Sequence, residues 1–202
     1  MQISKPSTEG WIGSKKNNSF ENYQLEEYKS AMKRIKSFRI AIDVGANIGI
    51  MSYRMSNDFQ FVHAFEPLFH TYVKENVKKS NIKIYPFAVG AEEKTEIMRV
   101  GVYHSGGSNI VKEKEKNVQH EEVKIVTLDS FNITDVDFIK IDVELYEWFV
   151  ILGAKKLIET YKPTILIELT PNNPHYHDII YFFENLSYKR EIVGELDSVF
   201  YQ

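Results

Sequence analysis

The sequence predicts an α/β fold: a doubly wound, mostly parallel sheet with helices on both faces and an antiparallel hairpin at its C-terminal end. Three observations predict it. Short apolar runs alternate with amphipathic segments, a glycine loop follows the first apolar run, and the last two runs are joined through Gly194-Glu195-Leu196-Asp197. That last connection suits a hairpin and is too short for a parallel crossover.

Taking the elements in order, Tyr23, Leu25, Tyr28, Met32 and Ile35 fall near helical spacing between Asn22 and Ser37, which predicts an amphipathic helix. Arg39 to Val44 is a strand that runs into a glycine loop, and Ile48 to Met55 resumes as helix. Phe59 to Phe65 is a second strand closed by Glu66-Pro67, Leu68 to Ser80 a helix, and Ile82 to Val89 a third strand. Thr95 to Tyr103 and Asn109 to Lys112 flank His104-Ser105-Gly106-Gly107-Ser108 and read as a hairpin insertion. Val123 to Thr127 precedes a short helical stretch. Asp137 to Val143 is then a strand, Trp148 to Tyr161 a helix, Pro163 to Leu169 a strand and His177 to Leu186 a helix. Tyr188 to Val193 and Ser198 to Tyr201 form the closing hairpin.

At 202 residues, 43% hydrophobic and 13% aromatic, the chain suits one domain that buries its core unaided. We read residues 1–202 as that domain, with 1–38 an N-terminal extension and helix and 39–202 the core, interrupted by the hairpin at about 95–112. Only the first twenty residues are poor in apolar side chains. The absence of cysteine excludes disulfides, thiolate metal sites and a cysteine nucleophile. A net charge of −3 is the wrong sign for a protein that binds by neutralising phosphates, so nucleic acid is a disfavoured partner. The run Lys112-Glu113-Lys114-Glu115-Lys116 alternates in sign and reads as a solvated segment. The stretch MQISKPSTEG lacks the apolar core of a secretory signal, and no run approaches the roughly 20 apolar residues of a membrane span. A cytoplasmic location without membrane contact is expected.

In an open α/β sheet a ligand sits beyond the carboxyl ends of the strands, next to the first one. Asp43-Val44-Gly45-Ala46-Asn47-Ile48-Gly49 occupies that place. A dinucleotide site would need GxGxxG, and here Asn47 stands where the close-approach glycine should be. Asp43 at the strand end repels phosphate and favours a cation, and S-adenosylmethionine offers an ammonium and a sulfonium with no phosphate. Glu66 ends the second strand, where an ionised carboxylate can accept both hydroxyl protons of a ribose. Pro67 closes that strand, and Ala88-Val89-Gly90 has side chains small enough for an adenine to lie close. The expected cofactor contacts are therefore Asp43, Gly45, Ala46, Asn47, Gly49, Glu66, Pro67, Ala88, Val89 and Asp142. A nucleotide-binding oxidoreductase on the same sheet, which this loop argues against, and a non-catalytic, methyltransferase-like binding module are the competing readings.

With DVGANIG at 43–49, Phe65-Glu66-Pro67, Ala88-Val89-Gly90, Thr127-Leu128-Asp129 and Lys140-Ile141-Asp142-Val143-Glu144 in this order, the chain resembles the FkbM-type methyltransferases from about Arg39 to about Leu169. The resemblance implies a Rossmann-like class I methyltransferase sheet and S-adenosylmethionine as donor, with S-adenosylhomocysteine as product. It also implies a hydroxyl of a sugar or natural product as acceptor, hence a small-molecule or glycan partner. Members commonly carry glycine after the KIDVE glutamate, and Leu145 stands there instead. A leucine is expected to forbid positive φ and to block close approach of a ligand.

Methyl transfer to oxygen is an in-line displacement, so alignment supplies much of the rate, and a hydroxyl acceptor needs a base or a cation beside it. Asp142 and Glu144 end the fourth strand of the parallel core and Glu168 the fifth, which brings all three to the rim that carries the glycine loop. Asp142 is expected to orient or accept the hydroxyl proton, with Glu144 or Glu168 binding substrate. Mg²⁺ held by Asp142 and Glu168 is the less favoured alternative, because so few carboxylates are visible, and no metal ligand is assigned. His63 falls inside a strand and is expected to be packed, whereas His104, His175 and His177 fall where acceptor loops should be. Trp11, Tyr23 and Tyr28 could cover the site, but such a stripe is more often core.

Overall fold

The computed structural model describes residues 22–101, 107–111 and 113–202. Trp11, His104, Lys112 and the tip of the hairpin insertion lie outside them. The described chain runs α1 (Leu25–Met32), β1 (Ile40–Val44), α2 (Ile50–Asp58), β2 (Phe61–Phe65), α3 (His70–Asn76), β3 (Ile82–Tyr85), β4 (Ala88–Val89), β5 (Lys94–Arg99) and β6 (Asn109–Val111). It continues with β7 (His120–Val126), a 3-10 turn (Leu128–Phe131), β8 (Val136–Ile141), α4 (Glu147–Gly153) and α5 (Lys155–Tyr161). β9 (Thr164–Glu168), α6 (Tyr176–Asn185), β10 (Lys189–Val193) and β11 (Asp197–Tyr201) complete it.

Seven strands form one sheet in the order β10-β11-β9-β8-β1-β2-β3. β11 runs antiparallel to both β9 and β10, and the other pairings are parallel, as the short 194–197 connection predicts. The central strands are buried on both faces, which is why they read as unbroken apolar runs. Their alternate residues sort between the two helical layers. Ile42, Val44, Ile139, Ile141, Ile165 and Ile167 meet α4, α5 and α6 through residues such as Val150, Ile158 and Phe183. Ala41, Val62, Phe138 and Leu166 meet α1 and α2 through Tyr28, Ala31, Met51 and Met55. The switch point between β1 and β8 therefore opens between two filled layers.

Two elements differ from the sequence expectation. The predicted strand 82–89 breaks: β3 ends at Tyr85, Pro86 cannot donate to a ladder, and Ala88 and Val89 pair with Ile125 and Val126 of β7. The hairpin insertion belongs to this same second sheet, ordered β4-β7-β5-β6, with β5 pairing both β6 and β7. The predicted helix 148–161 is two helices that meet at Ala154 (φ −114°, ψ 8°). The break has a side-chain cause: Asp129 accepts the N–H groups of Lys156 (3.0 Å) and Leu157 (2.9 Å), capping α5 separately.

Candidate active site

The glycine loop leaves β1 through Gly45, whose φ of +83° and position 1.9 Å from the Asp142 carbonyl oxygen, measured to where a Cβ would stand, admit no side chain. Gly45 and Ala46 donate their N–H groups to Phe65 O (3.0 and 3.1 Å), and Gly49 donates to Ala46 O (2.8 Å), so the loop is clamped to β2 and turned into α2. Asp43 is fully buried. Its Oδ2 accepts the Ser52 hydroxyl at 2.6 Å, and Lys140 Nζ stands 3.9 Å from Oδ1. Burial pushes the Asp43 carboxyl up, and Lys140 and Ser52 pull it back. Asp43 Oδ1 and Asn47 Oδ1 are buried without a hydrogen bond among the described residues.

Glu66 is turned into the loop rather than outward. Its Oε2 accepts Asn47 N–H at 2.8 Å, and its Oε1 accepts Leu68 N–H (2.8 Å) and Phe69 N–H (3.0 Å). Burial pushes it up to about 7 against those three donors. Three bonds on a carboxylate that can take about four leave room for one further donor, not the two expected of a ribose. Pro67 follows half-buried, and Ala88 and Val89 lie on β4, beyond the Pro86 break.

The three rim carboxylates come together as the sequence predicts. Asp142 N–H binds Val44 O at 3.1 Å, which places it against the glycine loop, and its Oδ2 accepts Lys140 Nζ at 3.0 Å. Glu144 is held up at about 7 by burial and then by Asp142 and Glu147. Glu168 is pushed up to about 8 by burial and then by Asp142, Glu144 and Asp197. Two further acids complete the rim. Glu147 is buried, bonded to Leu145 N–H (3.1 Å) and Asn173 Nδ2 (2.6 Å), and Asp197 stands opposite Glu168 in the β9–β11 register. Both are raised to about 7, burial being the largest cause. The sequence does not single out Lys140, Glu147 or Asp197. Period-two spacing from Asp142 would have flagged Lys140, and a hairpin register would have flagged Asp197.

The expectation at Leu145 is overturned. Its φ is +69°, following Glu144 at +50°, so a left-handed turn that glycine would adopt freely is made here with leucine. The side chain points outward, 45% exposed, and the Glu147 carboxylate holds the N–H, so no steric conflict beyond the backbone cost arises. His63 is packed as expected, with Nδ1 2.9 Å from Tyr85 Oη, and burial lowers its pKa to about 4. His175 pairs with Asp178 (2.9 Å) and faces Trp148, while His177 is exposed. Tyr28 is core, but Tyr23 packs on Ile48 and Ile50 beside the glycine loop, and its hydroxyl feels the charges of Asp142, Lys140 and Glu168. Among the described residues, no group of three or more His, Asp or Glu is arranged to hold a metal ion, and no helix is long and apolar enough to cross a membrane.

An antiparallel β11 between β9 and β10, on a sheet whose β1 runs into an acidic glycine loop, defines a class I, S-adenosylmethionine-dependent methyltransferase fold. Residues 43–190 match the Methyltransferase FkbM domain family, and the chain belongs to that family. The crystal structure of Methyltransferase FkbM from Methylobacillus flagellatus KT is similar over 82% of this chain and 44% of that one, at 18% identity and a TM-score of 0.60. This chain thus spans less than half the length of that protein. Precorrin-6y C5,15-methyltransferase from Geobacter metallireducens GS-15 matches 86% of this chain and 84% of its own, at 13% identity and a TM-score of 0.50. A Streptococcus mutans protein solved in complex with SAH matches 89% and 97%, at 11% identity and a TM-score of 0.52. At these identities the likeness concerns the fold. A search of curated proteins finds no match.

The residues present fit the methyl donor of this family. Of the three buried side-chain acceptors without a hydrogen bond among the described residues, two, Asp43 Oδ1 and Asn47 Oδ1, belong to the glycine loop, and the ligand brings an ammonium and hydroxyls.

Proposed function

We propose that this chain O-methylates a hydroxyl of a sugar or another small neutral metabolite. The observation that carries the reading is the position of Asp142: its backbone abuts Gly45 of the cofactor loop, and its carboxylate stands with Glu144 and Glu168. S-adenosylmethionine, when bound, supplies an electrophilic methyl group on a sulfonium. Asp43, Gly45, Ala46, Asn47 and Gly49 would line its amino-acid end, Glu66 would take one ribose hydroxyl in its remaining acceptor position, and Pro67, Ala88 and Val89 would flank the nucleoside. Asp142 orients the acceptor hydroxyl and receives its proton.

Glu144 and Glu168, held near neutrality in pKa, each present a mixture of donor and acceptor states at pH 7, which suits the hydroxyl pairs of a polyol. The same rim repels phosphorylated acceptors and nucleic acid, so a free sugar or glycan is the partner class it favours. Mg²⁺ held by Asp142 and Glu168 is the less favoured alternative, since Lys140 already engages Asp142 Oδ2, and activity that survives exhaustive chelation would remove it.

The test is transfer of labelled methyl groups from S-adenosylmethionine to pools of neutral hydroxylated metabolites by the purified chain. Asp142→Asn is expected to lower turnover by roughly a hundredfold or more at saturating S-adenosylmethionine. Full turnover in that variant removes the proposed role.

A further inference from the structure

Lys140 takes no part in the transfer step, yet it is the one basic side chain among the described residues that is buried, at 3% exposure. Strand register puts it there. On β8 it stands beside Asp43 of β1 and Leu166 of β9, on the face covered by α1 and α2, and Asp142 follows two residues later on the same side. Its ammonium lies 3.0 Å from Asp142 Oδ2 and 3.9 Å from Asp43 Oδ1.

We propose that Lys140 is a positioning residue, the shared counterion that joins the cofactor loop to the acceptor rim by bridging Asp142 and keeping the buried Asp43 charged. The proposal rests on the methyl-donor reading above. Two carboxylates and one ammonium leave one net negative charge, which the ligand's ammonium group offsets on entering. Burial works to strip the lysine of its proton, but Asp142 and Asp43 outweigh burial and its pKa is raised. Without the lysine, the fully buried Asp43 would take up a proton, because burial already pushes its carboxyl up and Lys140 is the largest influence pulling it down. A ligand ammonium would then have to expel that proton in order to bind.

The groups that face this trio are Glu66 from β2, Tyr28 from α1, Tyr23 ahead of α1, Glu168 from β9, Asp197 from β11, and Glu144 and Glu147 from the turn after β8. All of them remain in a Lys140 variant, but Asp197 also loses the pull of Lys140 and titrates in the same pH range, so the comparison is repeated in an Asp197→Asn background.

The experiment is titration calorimetry of S-adenosylhomocysteine against wild type and Lys140→Met between pH 6 and 8.5, with circular dichroism as a check on folding. Relative to wild type, the affinity of the variant is expected to rise with pH by up to about tenfold per pH unit, the signature of one extra proton released on binding. Wild-type slope and affinity, or a loss that is uniform across pH, overturns the proposal. If Lys140→Met does not fold, the double variant Asp43→Asn/Lys140→Met, which removes both buried charges, is expected to fold. A double variant that also fails to fold assigns the lysine to packing and overturns the proposal. A wild-type chain that binds neither S-adenosylhomocysteine nor S-adenosylmethionine overturns the methyl-donor reading and this proposal with it. Wild-type binding with an indifferent Lys140→Met overturns this proposal alone.

Discussion

Leu145 carries a left-handed backbone, φ +69°, that an L side chain adopts at a cost of roughly 1–2 kcal/mol. Its side chain is 45% exposed, so trimming it forfeits roughly half of a leucine's burial, about 1 kcal/mol. Glycine would relieve that strain but adds about 0.5–1 kcal/mol of unfolded-state entropy. Leu145→Gly is therefore expected to move stability by less than about 1 kcal/mol in urea titrations, strain relief being offset by lost burial and entropy, and a larger drop in the midpoint would mean that leucine makes a packing contact that outweighs the strain. The residue scale is also where the sequence misleads about Glu66. Its place at the end of β2 is legible from the chain, but three backbone N–H groups converge on it only because the loop before α2 and the turn before α3 fold toward the same carboxylate.

At the scale of elements, α4 docks on β4 through two backbones in contact. A Cβ on Gly153 would stand 1.9 Å from Gly90 O, an atom that no rotamer change moves. Gly153→Ala should therefore displace α4 from the second sheet, at about 2–3 kcal/mol of strain that the better helix propensity of alanine, about 1 kcal/mol, does not offset. An unchanged urea midpoint would show that the helix shifts freely. The same contact explains why the α4–α5 break is hard to read from residues 148–161. The apolar spacing continues through Ala154, and the interruption comes from Gly90 and Asp129, which are distant in sequence. The split of the third strand was legible in part, since Pro86 marks it, but the transfer of Ala88 and Val89 to a second sheet depends on β7 lying alongside.

For the whole molecule, the rim makes stability depend on pH in a definite direction. Glu66, Glu144, Glu147 and Asp197 are raised to about 7 and Glu168 to about 8, from ordinary carboxyl values of 4.5 for glutamate and 3.8 for aspartate. Each binds its proton more tightly folded than unfolded, so its contribution is complete below the ordinary value and is lost as pH rises through 7 to 8. Thermal unfolding is expected at a lower temperature at pH 8.5 than at pH 5.5. Glu168→Gln should recover on the order of 1 kcal/mol at pH 8.5 and nothing at pH 5. Stability that rises with pH would contradict the arrangement. A cationic ligand should offset the loss, since it brings to the rim the positive charge that, among the buried side chains of the described residues, only Lys140 now provides.

The sequence by itself determined the order of strands and helices, the antiparallel closing strand, the acidic glycine loop and the meeting of Asp142, Glu144 and Glu168 on one rim. All of these follow from period, turn length and the ends of parallel strands, which are local properties of the chain. The tertiary structure alone decided which way Glu66 faces, that Lys140 is shut between Asp43 and Asp142, that Asp197 faces Glu168, and that β4 leaves the main sheet. Those outcomes depend on which strand lies beside which and in what register, and burial acts on a carboxylate or an ammonium only once its neighbours have closed around it.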